Sequence, residues 1–147
     1  MIPLNPWEHQ NAFKMLYSKF VSAICQRHGM TRAELDILLF LANNPCYDTA
    51  AEIVEIRYLA KSQVSASVKA LEQRGMLFRE YAHGNRKTVH LKLCEKAMPI
   101  VREGQLAQER FLAAILKDFS TCEIEALEDF SRRMQNNIDR LMEDTKC

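Results

Sequence analysis

The amino-acid sequence of 147 residues predicts a mainly α-helical fold with one small β-hairpin. Two patterns support this prediction. Apolar residues recur at every third or fourth position along most of the chain, as they do on the buried face of a helix. Between residues 76 and 93 the spacing changes to that of two short strands, and Gly84-Asn85 marks a turn between them. The length suits one domain, or one subunit of a small oligomer.

Two helices are predicted in the N-terminal part of the chain. Apolar residues spaced by three and four predict the first helix over residues 5–28, and Gly29 ends it. Thr31 opens the second helix, because Glu34 three residues later completes a capping box. Apolar residues cover most sides of this second helix, so we expect it to lie in the core.

A short third helix and a longer fourth helix follow. Thr49 opens the third helix with Glu52 as its capping partner, and the apolar residues of that helix are Ile53 and Ile56. The fourth helix is predicted over residues 61–74, just before a glycine. Its apolar stripe consists of Val64, Val68 and Leu71. Its opposite side, here called the polar face, consists of Lys61, Ser62, Gln63, Ser65, Ala66 and Lys69.

The β-hairpin comes directly after the fourth helix. Residues 76–81 and 88–93 are predicted as its strands. The six residues between them, here called the hairpin tip (residues 82–87), contain the turn signal and two adjacent basic residues. The polar side chains of the tip belong to His83, Asn85, Arg86 and Lys87.

Two long amphipathic helices complete the chain. The first is predicted over residues 95–117, with Pro99 near its start, where it costs a helical hydrogen bond or moves the start. Ser120 or Thr121 opens the last helix, which runs to about Glu143. Its apolar stripe consists of Ile124, Leu127, Phe130, Met134, Ile138 and Leu141. Burying one such side chain is worth roughly 1.5–3 kcal/mol, so we expect the terminal helices to pack against a second subunit.

Positive charge is concentrated around the fourth helix and the hairpin. The whole chain has a net charge of +1, but residues 57–92 contain eight Lys or Arg and two Glu, a local net charge of +6. Residues 118–147 contain four basic and eight acidic residues, a local net charge of −4. A basic stretch of this kind is typical of a nucleic-acid surface. A helix with small polar side chains fits a major groove, and the hairpin tip can reach the adjacent backbone or minor groove.

Residues 59–80 (LAKSQVSASVKALEQRGMLFRE) and 85–97 (NRKTVHLKLCEKA) resemble the winged helix-turn-helix of the MarR family of bacterial transcription regulators. The resemblance extends over nearly the whole chain in length and helix order, and its motifs are specific over about residues 58–97. The sequence departs from the family pattern at two positions. Asn85 replaces the usual acidic residue before the hairpin arginine, and Ala60 replaces the hydroxyl residue that often caps the fourth helix.

The resemblance implies a function and a division of the chain. A single subunit over residues 1–147 would have a DNA-binding lobe at about 31–93 and dimerisation helices at about 5–28 and 95–145. The homodimer would bind a pseudo-palindromic operator in double-stranded DNA, most often as a repressor. DNA contacts would come from the polar face of the fourth helix and from His83, Asn85, Arg86 and Lys87. A small aromatic or lipophilic effector would bind near Phe13, Tyr17 and Phe20, whose alternative role is core packing.

Other functional classes find little support in the sequence. No phosphate-binding glycine loop and no GxSxG motif is present, so we expect the protein not to be an enzyme and to need no cofactor. The histidines and cysteines form no familiar metal-ligand arrangement; Cys25 and His28 could meet one ion by their spacing, but we expect His28 to be structural and no metal to bind. Cys94 opens a helix, where a thiol pKa is lowered, and it is therefore a redox candidate. The sequence shows no leader and no membrane span, so a cytoplasmic location is expected. The alternative is a winged-helix protein-interaction module without specific DNA binding.

Overall fold

A computed structural model describes residues 6–145, apart from the side chains of Pro6, Trp7, Asn85 and Arg86. Within these residues the chain forms six α-helices and a two-stranded antiparallel hairpin, which confirms the predicted fold class. The elements are α1 (Pro6–His28), α2 (Arg32–Asn43), α3 (Ala50–Arg57), α4 (Lys61–Gln73), β1 (Leu77–Ala82), β2 (Asn85–Leu93), α5 (Met98–Ile115) and α6 (Thr121–Asp144). None of the described helices has the length and hydropathy needed to cross a membrane.

Three helices begin at capping boxes that the sequence indicates. At the start of α2, the backbone N–H of Glu34 donates to Thr31 Oγ1, and the Thr31 N–H donates back to the Glu34 carboxylate. The same reciprocal pair opens α3 at Thr49 and α6 at Ser120, so Ser120 rather than Thr121 caps the last helix. Each cap satisfies N–H groups that have no partner inside the helix.

The hairpin is longer than the sequence pattern predicts. The second strand begins at Asn85 instead of Thr88, so only His83 and Gly84 connect the strands. Gly84 has a φ of +75°, a left-handed conformation that lets the chain reverse in so short a loop. The pairing register shifts between Tyr81 and Ala82, which leaves extra residues on the second strand, as in a β-bulge.

The start of α5 also differs from the prediction. Glu95–Ala97 form a single 3₁₀ turn, and the α-helix begins only at Met98. Pro99 is then the second residue of the helix, where its missing N–H would have no helical partner in any case. The proline therefore moves the start of the helix and breaks no hydrogen bond within it.

The chain divides into two compact units, the first ending at Phe111 and the second beginning at Leu112. In the described part of the first unit, α2 is the central element, as predicted: Leu35, Ile37 and Leu38 are fully buried. Side chains from α1, α3, α4, the hairpin and α5 pack into the same core, among them Val21, Ile53, Val64, Leu71, Leu77, Leu91 and Val101. Gly104 of α5 approaches Leu39 so closely that an added Cβ would lie 2.6 Å from Leu39 Cδ2.

The two isoleucines of α3 have different environments, which allows a matched stability test. Ile53 is fully buried, whereas Ile56 is 42% exposed. We expect Ile53→Ala to lower the free energy of unfolding by about 2–5 kcal/mol, because it leaves a cavity in the core. Ile56→Ala should cost less than about 1 kcal/mol, because its side chain is already largely in water. Urea unfolding followed by circular dichroism measures both, and equal losses would contradict the burial assigned to α3.

Candidate nucleic-acid interface

The polar face of α4 is exposed as the sequence predicts. All six of its side chains are solvent-accessible: Lys61, Ser62, Gln63, Ser65, Ala66 and Lys69. The other side of the helix is buried through Val64, Val68 and Leu71, together with Ser67, which the apolar pattern does not indicate. The buried side anchors α4 in the core and leaves a surface of short polar and basic side chains facing solvent.

The start of α4 has no side-chain cap. Ala60 occupies the N-cap position with extended backbone angles, and it makes no side-chain hydrogen bond to the helix. The first-turn N–H groups of a helix without a side-chain cap are open to water or to an anion, and the helix dipole favours negative charge there. A serine or threonine at this position could accept one of these N–H groups, but Ala60 cannot. The uncapped N–H groups lie at the end of α4 that carries Lys61, Ser62 and Gln63.

Arg74, which follows the C-terminal end of α4, binds the corner between α1 and α2 (residues 28–31). Its Nη2 donates to the carbonyl of His28 at 2.5 Å, and its Nη1 donates to the carbonyl of Gly29 at 3.2 Å. Nη1 also lies 3.8 Å from the carboxylate of Glu34. The two carbonyls lie at the end of α1, where helical partners are lacking, so one guanidinium satisfies both and fixes the C-terminal end of α4.

The hairpin tip supplies the remaining predicted residues. His83 and Lys87 are exposed. Asn85 and Arg86 belong to β2, but their side chains lie outside the described part of the structure, so their contacts stay a prediction. Nearer the base of the hairpin, Arg79 Nε donates to Glu72 Oε2 at 3.1 Å and joins β1 to α4.

A second link joins the hairpin to α3, and the sequence pattern does not reveal it. His90 is a candidate for phosphate contact or exposure by its sequence position alone, yet its Nδ1 lies 2.6 Å from Asp48 Oδ1. Lys92 Nζ donates to Asp48 Oδ2 at 2.8 Å. Burial alone would raise the pKa of the Asp48 carboxyl, but hydrogen bonds from Lys92 and His90 outweigh it and lower that pKa. The same bond to Asp48 raises the pKa of Lys92.

The predicted effector residues surround another aromatic ring. The ring centroids of Phe13, Tyr17 and Phe20 lie 4.8, 5.3 and 5.6 Å from that of Phe111. Phe111 itself is buried, and Gln108 Nε2 donates to the Tyr17 hydroxyl at 3.0 Å. These contacts pack the three rings onto α5, and their role as an effector site stays a prediction.

An open cavity lies between α3, α4 and the hairpin. Its volume is about 460 Å³. Apolar side chains form most of its wall, and the polar side chains at it are Lys61, Ser65 and Arg79. Its lining residues are Ala50, Ala51, Val54, Lys61, Val64, Ser65, Val68, Arg79, Val89 and Leu91. The hairpin is therefore not packed tightly against α3 and α4 at this level.

The redox candidate Cys94 precedes the 3₁₀ turn at Glu95–Ala97 and is partly buried. Its backbone N–H donates to the carbonyl of Met76 at 2.9 Å, which closes the base of the hairpin. Burial raises the pKa of a different thiol, Cys25. A sensing role for Cys94 remains a prediction. In the part of the chain that the structure describes, no group of three or more His, Cys, Asp or Glu is placed to hold a metal ion.

An ion-pair cluster joins α5 to the end of α1. Glu103 Oε2 lies 2.6 Å from His28 Nε2, and Glu103 Oε1 lies 2.5 Å from Arg27 Nη2. The hydrogen bond from His28 is the main cause of the lowered pKa of Glu103; burial opposes it, and Arg27 adds to it.

This cluster predicts a pH dependence of stability. A lowered folded-state pKa stabilises the fold above the unfolded value of about 4.3, and the contribution disappears as the pH falls through the folded value. We expect Glu103→Gln to lower the free energy of unfolding by about 0.2–1 kcal/mol at pH 7, since the groups are partly exposed. The difference from wild type should vanish at low pH. Glu109→Gln, at an exposed position of the same helix, is the control, and a pH-independent loss at Glu103 would contradict the prediction.

Residues 28–86, which contain α2, α3, α4, β1 and the start of β2, match the model of the MarR family. The match covers 59 of the 147 residues, so the similarity to the family is shown for this segment. The transcriptional repressor MprA of Escherichia coli is 31% identical to it over 74 residues, which are 50% of this chain and 42% of MprA. The chain thus spans less than half the length of MprA. The uncharacterized HTH-type transcriptional regulator YdgJ of Bacillus subtilis is 26% identical over 135 residues, 92% of this chain and 79% of YdgJ.

Solved structures share the fold at low sequence identity. MarR superposes with a TM-score of 0.77 and 16% identity, covering 98% of this chain and 97% of MarR. A Listeria monocytogenes protein, described as a MarR-family transcriptional regulator complexed with 26mer DNA, gives 0.78 and 19%, covering 93% and 90%. The predicted winged helix-turn-helix architecture is therefore confirmed. MprA is named as a transcriptional repressor and YdgJ as an HTH-type transcriptional regulator.

Proposed function

We propose that the protein is a DNA-binding transcription regulator that recognises a pseudo-palindromic operator as a homodimer. The observation that supports this most is the exposed polar face of α4, anchored from behind by buried apolar side chains and placed in a stretch with a local charge of +6. A surface of this kind suits duplex DNA because phosphates attract its cations while small polar side chains reach base edges. The DNA that accompanies the Listeria relative supports the same proposal.

The recognition model assigns different tasks to different side chains. The N-terminal residues of α4 enter the major groove, where Gln63 can pair with a base edge and Ser62 and Ser65 donate or accept hydrogen bonds. Lys61 and Lys69 contact phosphates. The hairpin tip, with His83, Asn85, Arg86 and Lys87, reaches the flanking backbone or minor groove. Each neutralised phosphate adds about 0.9 to the slope of log affinity against log salt concentration.

The homodimer would form through the terminal helices, within residues 5–28 and 95–145. This proposal is supported by α6, which has an apolar stripe along its length but no buried residue within the chain. A two-fold dimer would present two copies of α4 about one helical turn of DNA apart, roughly 34 Å, and so would match a symmetric operator. Residues 31–93 would then act as one DNA-binding lobe in each subunit.

The regulator would act as a repressor in the cytoplasm and release DNA in response to a signal. MprA, to which the chain is similar, is named as a repressor, and this supports the sign of the regulation. The signal would be a small aromatic or lipophilic effector near Phe13, Tyr17 and Phe20, or oxidation at Cys94. Either would act by favouring a dimer shape in which the two α4 helices no longer match the operator.

Selection from a random duplex library, followed by fluorescence anisotropy under salt titration, tests the proposal. We expect two-fold-symmetric winners that bind at least about a hundredfold tighter than random duplex, together with a steep salt dependence. Weak binding that is equal for all duplexes would overturn it. That result would favour the alternative function, in which the basic surface docks an acidic protein.

A further inference from the structure

We propose that Asp48 is a positioning residue, which fastens the hairpin to the start of α3 and thereby sets the distance between the hairpin tip and the polar face of α4. This inference rests on the proposed DNA binding, because the tip and the polar face must meet one duplex together. Asp48 itself lies in the segment before α3 and belongs to neither of the two contacting surfaces.

The contacts of Asp48 join it to two neighbouring elements. On the hairpin side, its carboxylate meets Lys92 and His90, and its backbone carbonyl accepts the Leu91 N–H at 2.7 Å. On the helix side, its own N–H donates to Glu52 Oε2 at 2.9 Å, the carboxylate that also caps α3 at Thr49. Three successive residues of β2 are therefore fixed to the first turn of α3 through one residue.

His90 and Lys92 can meet the same carboxylate because of strand geometry. Residues two apart on a strand point to the same side, so both side chains reach Asp48 while Leu91 between them points into the core, where it is buried. Glu80, which is paired with His90 across the hairpin, is the other nearby acid that acts on Lys92. The carboxylate of Asp48 is thus the point where the polar contacts of His90 and Lys92 converge.

Part of the hairpin lines an open cavity and does not pack directly against α3 and α4. The cavity of about 460 Å³ separates part of the hairpin from α3 and α4, and Leu91 and Val89 line it. The Arg79–Glu72 ion pair is one of the polar links between the hairpin and the helices, and both of its side chains are 39% exposed. Pairs that are so exposed contribute little. The Asp48 carboxylate is better shielded, at 19% exposed, and accepts two charge-assisted or short hydrogen bonds.

The Asp48 contact lies near the base of the hairpin, so a small rotation there displaces the hairpin tip by a larger distance. Arg86 lies four residues beyond His90 along β2, or about 13 Å at the usual rise of a strand. A rotation of the hairpin about its fixed base therefore moves the tip by ångströms, which is enough to break a phosphate hydrogen bond. The core anchors at the hairpin base, Leu77 and Leu91, would remain in place. Loss of the Asp48 contacts should then affect DNA binding more than folding.

Charge alone predicts the opposite result, which makes the test sharp. Asp48→Asn removes a negative charge near a DNA surface, and simple electrostatics would therefore tighten binding. Glu80→Gln makes the same charge change on the same hairpin. Glu80 is exposed and is not among the residues that contact Asp48 in the bonds described above. If Asp48 positions the hairpin, the Asp48→Asn variant binds less tightly than wild type, whereas the Glu80→Gln variant binds as tightly as wild type or more so.

The experiment uses the full chain and two duplexes, the selected operator core and the same core lengthened at both ends to reach the hairpin tips. For wild type and Glu80→Gln, we expect the longer duplex to bind about tenfold tighter than the short core, because it adds one or two contacts at the hairpin tips. For Asp48→Asn, that gain should disappear while binding to the short core stays within about twofold. His90→Gln, which removes one contact only, should lose part of the gain and serves if Asp48→Asn fails to fold.

Hydrogen exchange of the Leu91 amide, measured without DNA, separates this inference from the proposed function. The positioning role is supported if the Leu91 amide exchanges faster in Asp48→Asn and this variant no longer binds the longer duplex more tightly than the short core. Unchanged exchange, or faster exchange with the gain intact, overturns it. If wild-type protein prefers no duplex, the proposed function itself fails and a positioning role in DNA binding falls with it, whatever the exchange rate of Leu91 is.

Discussion

Gln63→Ala is expected to lower affinity for the selected operator by about tenfold or more while binding to random duplex stays the same. Gln63 is the third residue of α4 and is exposed on its polar face. The first turns of a recognition helix come closest to base edges. A glutamine amide can pair with adenine through two hydrogen bonds, which are worth about 1–3 kcal/mol of discrimination. Random duplex is held mainly through phosphates, so its affinity does not depend on this amide.

Gln73→Ala is the matched control for Gln63→Ala. Both glutamines are exposed on α4, but Gln73 ends the helix, about 15 Å away along its axis. Anisotropy titrations of both variants against operator and random duplex should show a loss of preference for Gln63→Ala alone, confined to particular base pairs of the site. An equal drop on every duplex would mean that Gln63 contributes to affinity without reading sequence.

Met134→Asp is expected to convert the proposed dimer to monomers at micromolar concentration. Met134 lies at the middle of the α6 stripe and is exposed within the chain, as are Leu127, Phe130, Ile138 and Leu141. Burying these five side chains in a dimer would be worth roughly 1.5–3 kcal/mol each before the costs of association. An unpaired carboxylate among them would cost about 2–5 kcal/mol, or roughly thirtyfold to several thousandfold in dimer affinity.

Sedimentation velocity distinguishes the two states directly, with Gln135→Asp as the control. Gln135 is adjacent on α6 and also exposed, but it is a polar residue outside the apolar stripe. Gln135→Asp should sediment as wild type, whereas Met134→Asp should shift to the monomer and lose tight operator binding. A Met134→Asp protein that remained dimeric would remove α6 from the interface.

Local signals made the helices predictable, because caps and glycines act within a few residues. Thr31, Thr49 and Ser120 each pair with a glutamate three positions later, so their helix starts follow from the sequence alone. The polar face of α4 was equally predictable, because a helix with one buried stripe must expose its opposite side. Hairpin length was not, since pairing across the strands extends β2 to Asn85 through contacts that no local pattern encodes.

Features that depend on tertiary contacts lay beyond sequence reasoning. The contact between Asp48 and His90 joins residues 42 positions apart, and a histidine on a basic hairpin gives no sign of such a partner. Likewise, Ile53 and Ile56 look equivalent on α3, and only the packing of neighbouring helices buries one and exposes the other. For the DNA-contacting residues the sequence identified a face, but which bases they meet depends on a duplex.

The two ends of α4 have separable tasks, and this matters for engineering. Arg74 holds the C-terminal end through carbonyls of the α1–α2 corner, whereas the residues available for base reading lie in the first turns. Positions 62, 63, 65 and 66 can therefore be randomised to redirect the protein to new operators without touching what holds the helix. A grafted helix that lacked an arginine at position 74 would lose the hydrogen bonds to the carbonyls of His28 and Gly29. The chain thus offers a scaffold in which the DNA-contacting positions of α4 can be changed while the contacts that hold the helix in place are kept.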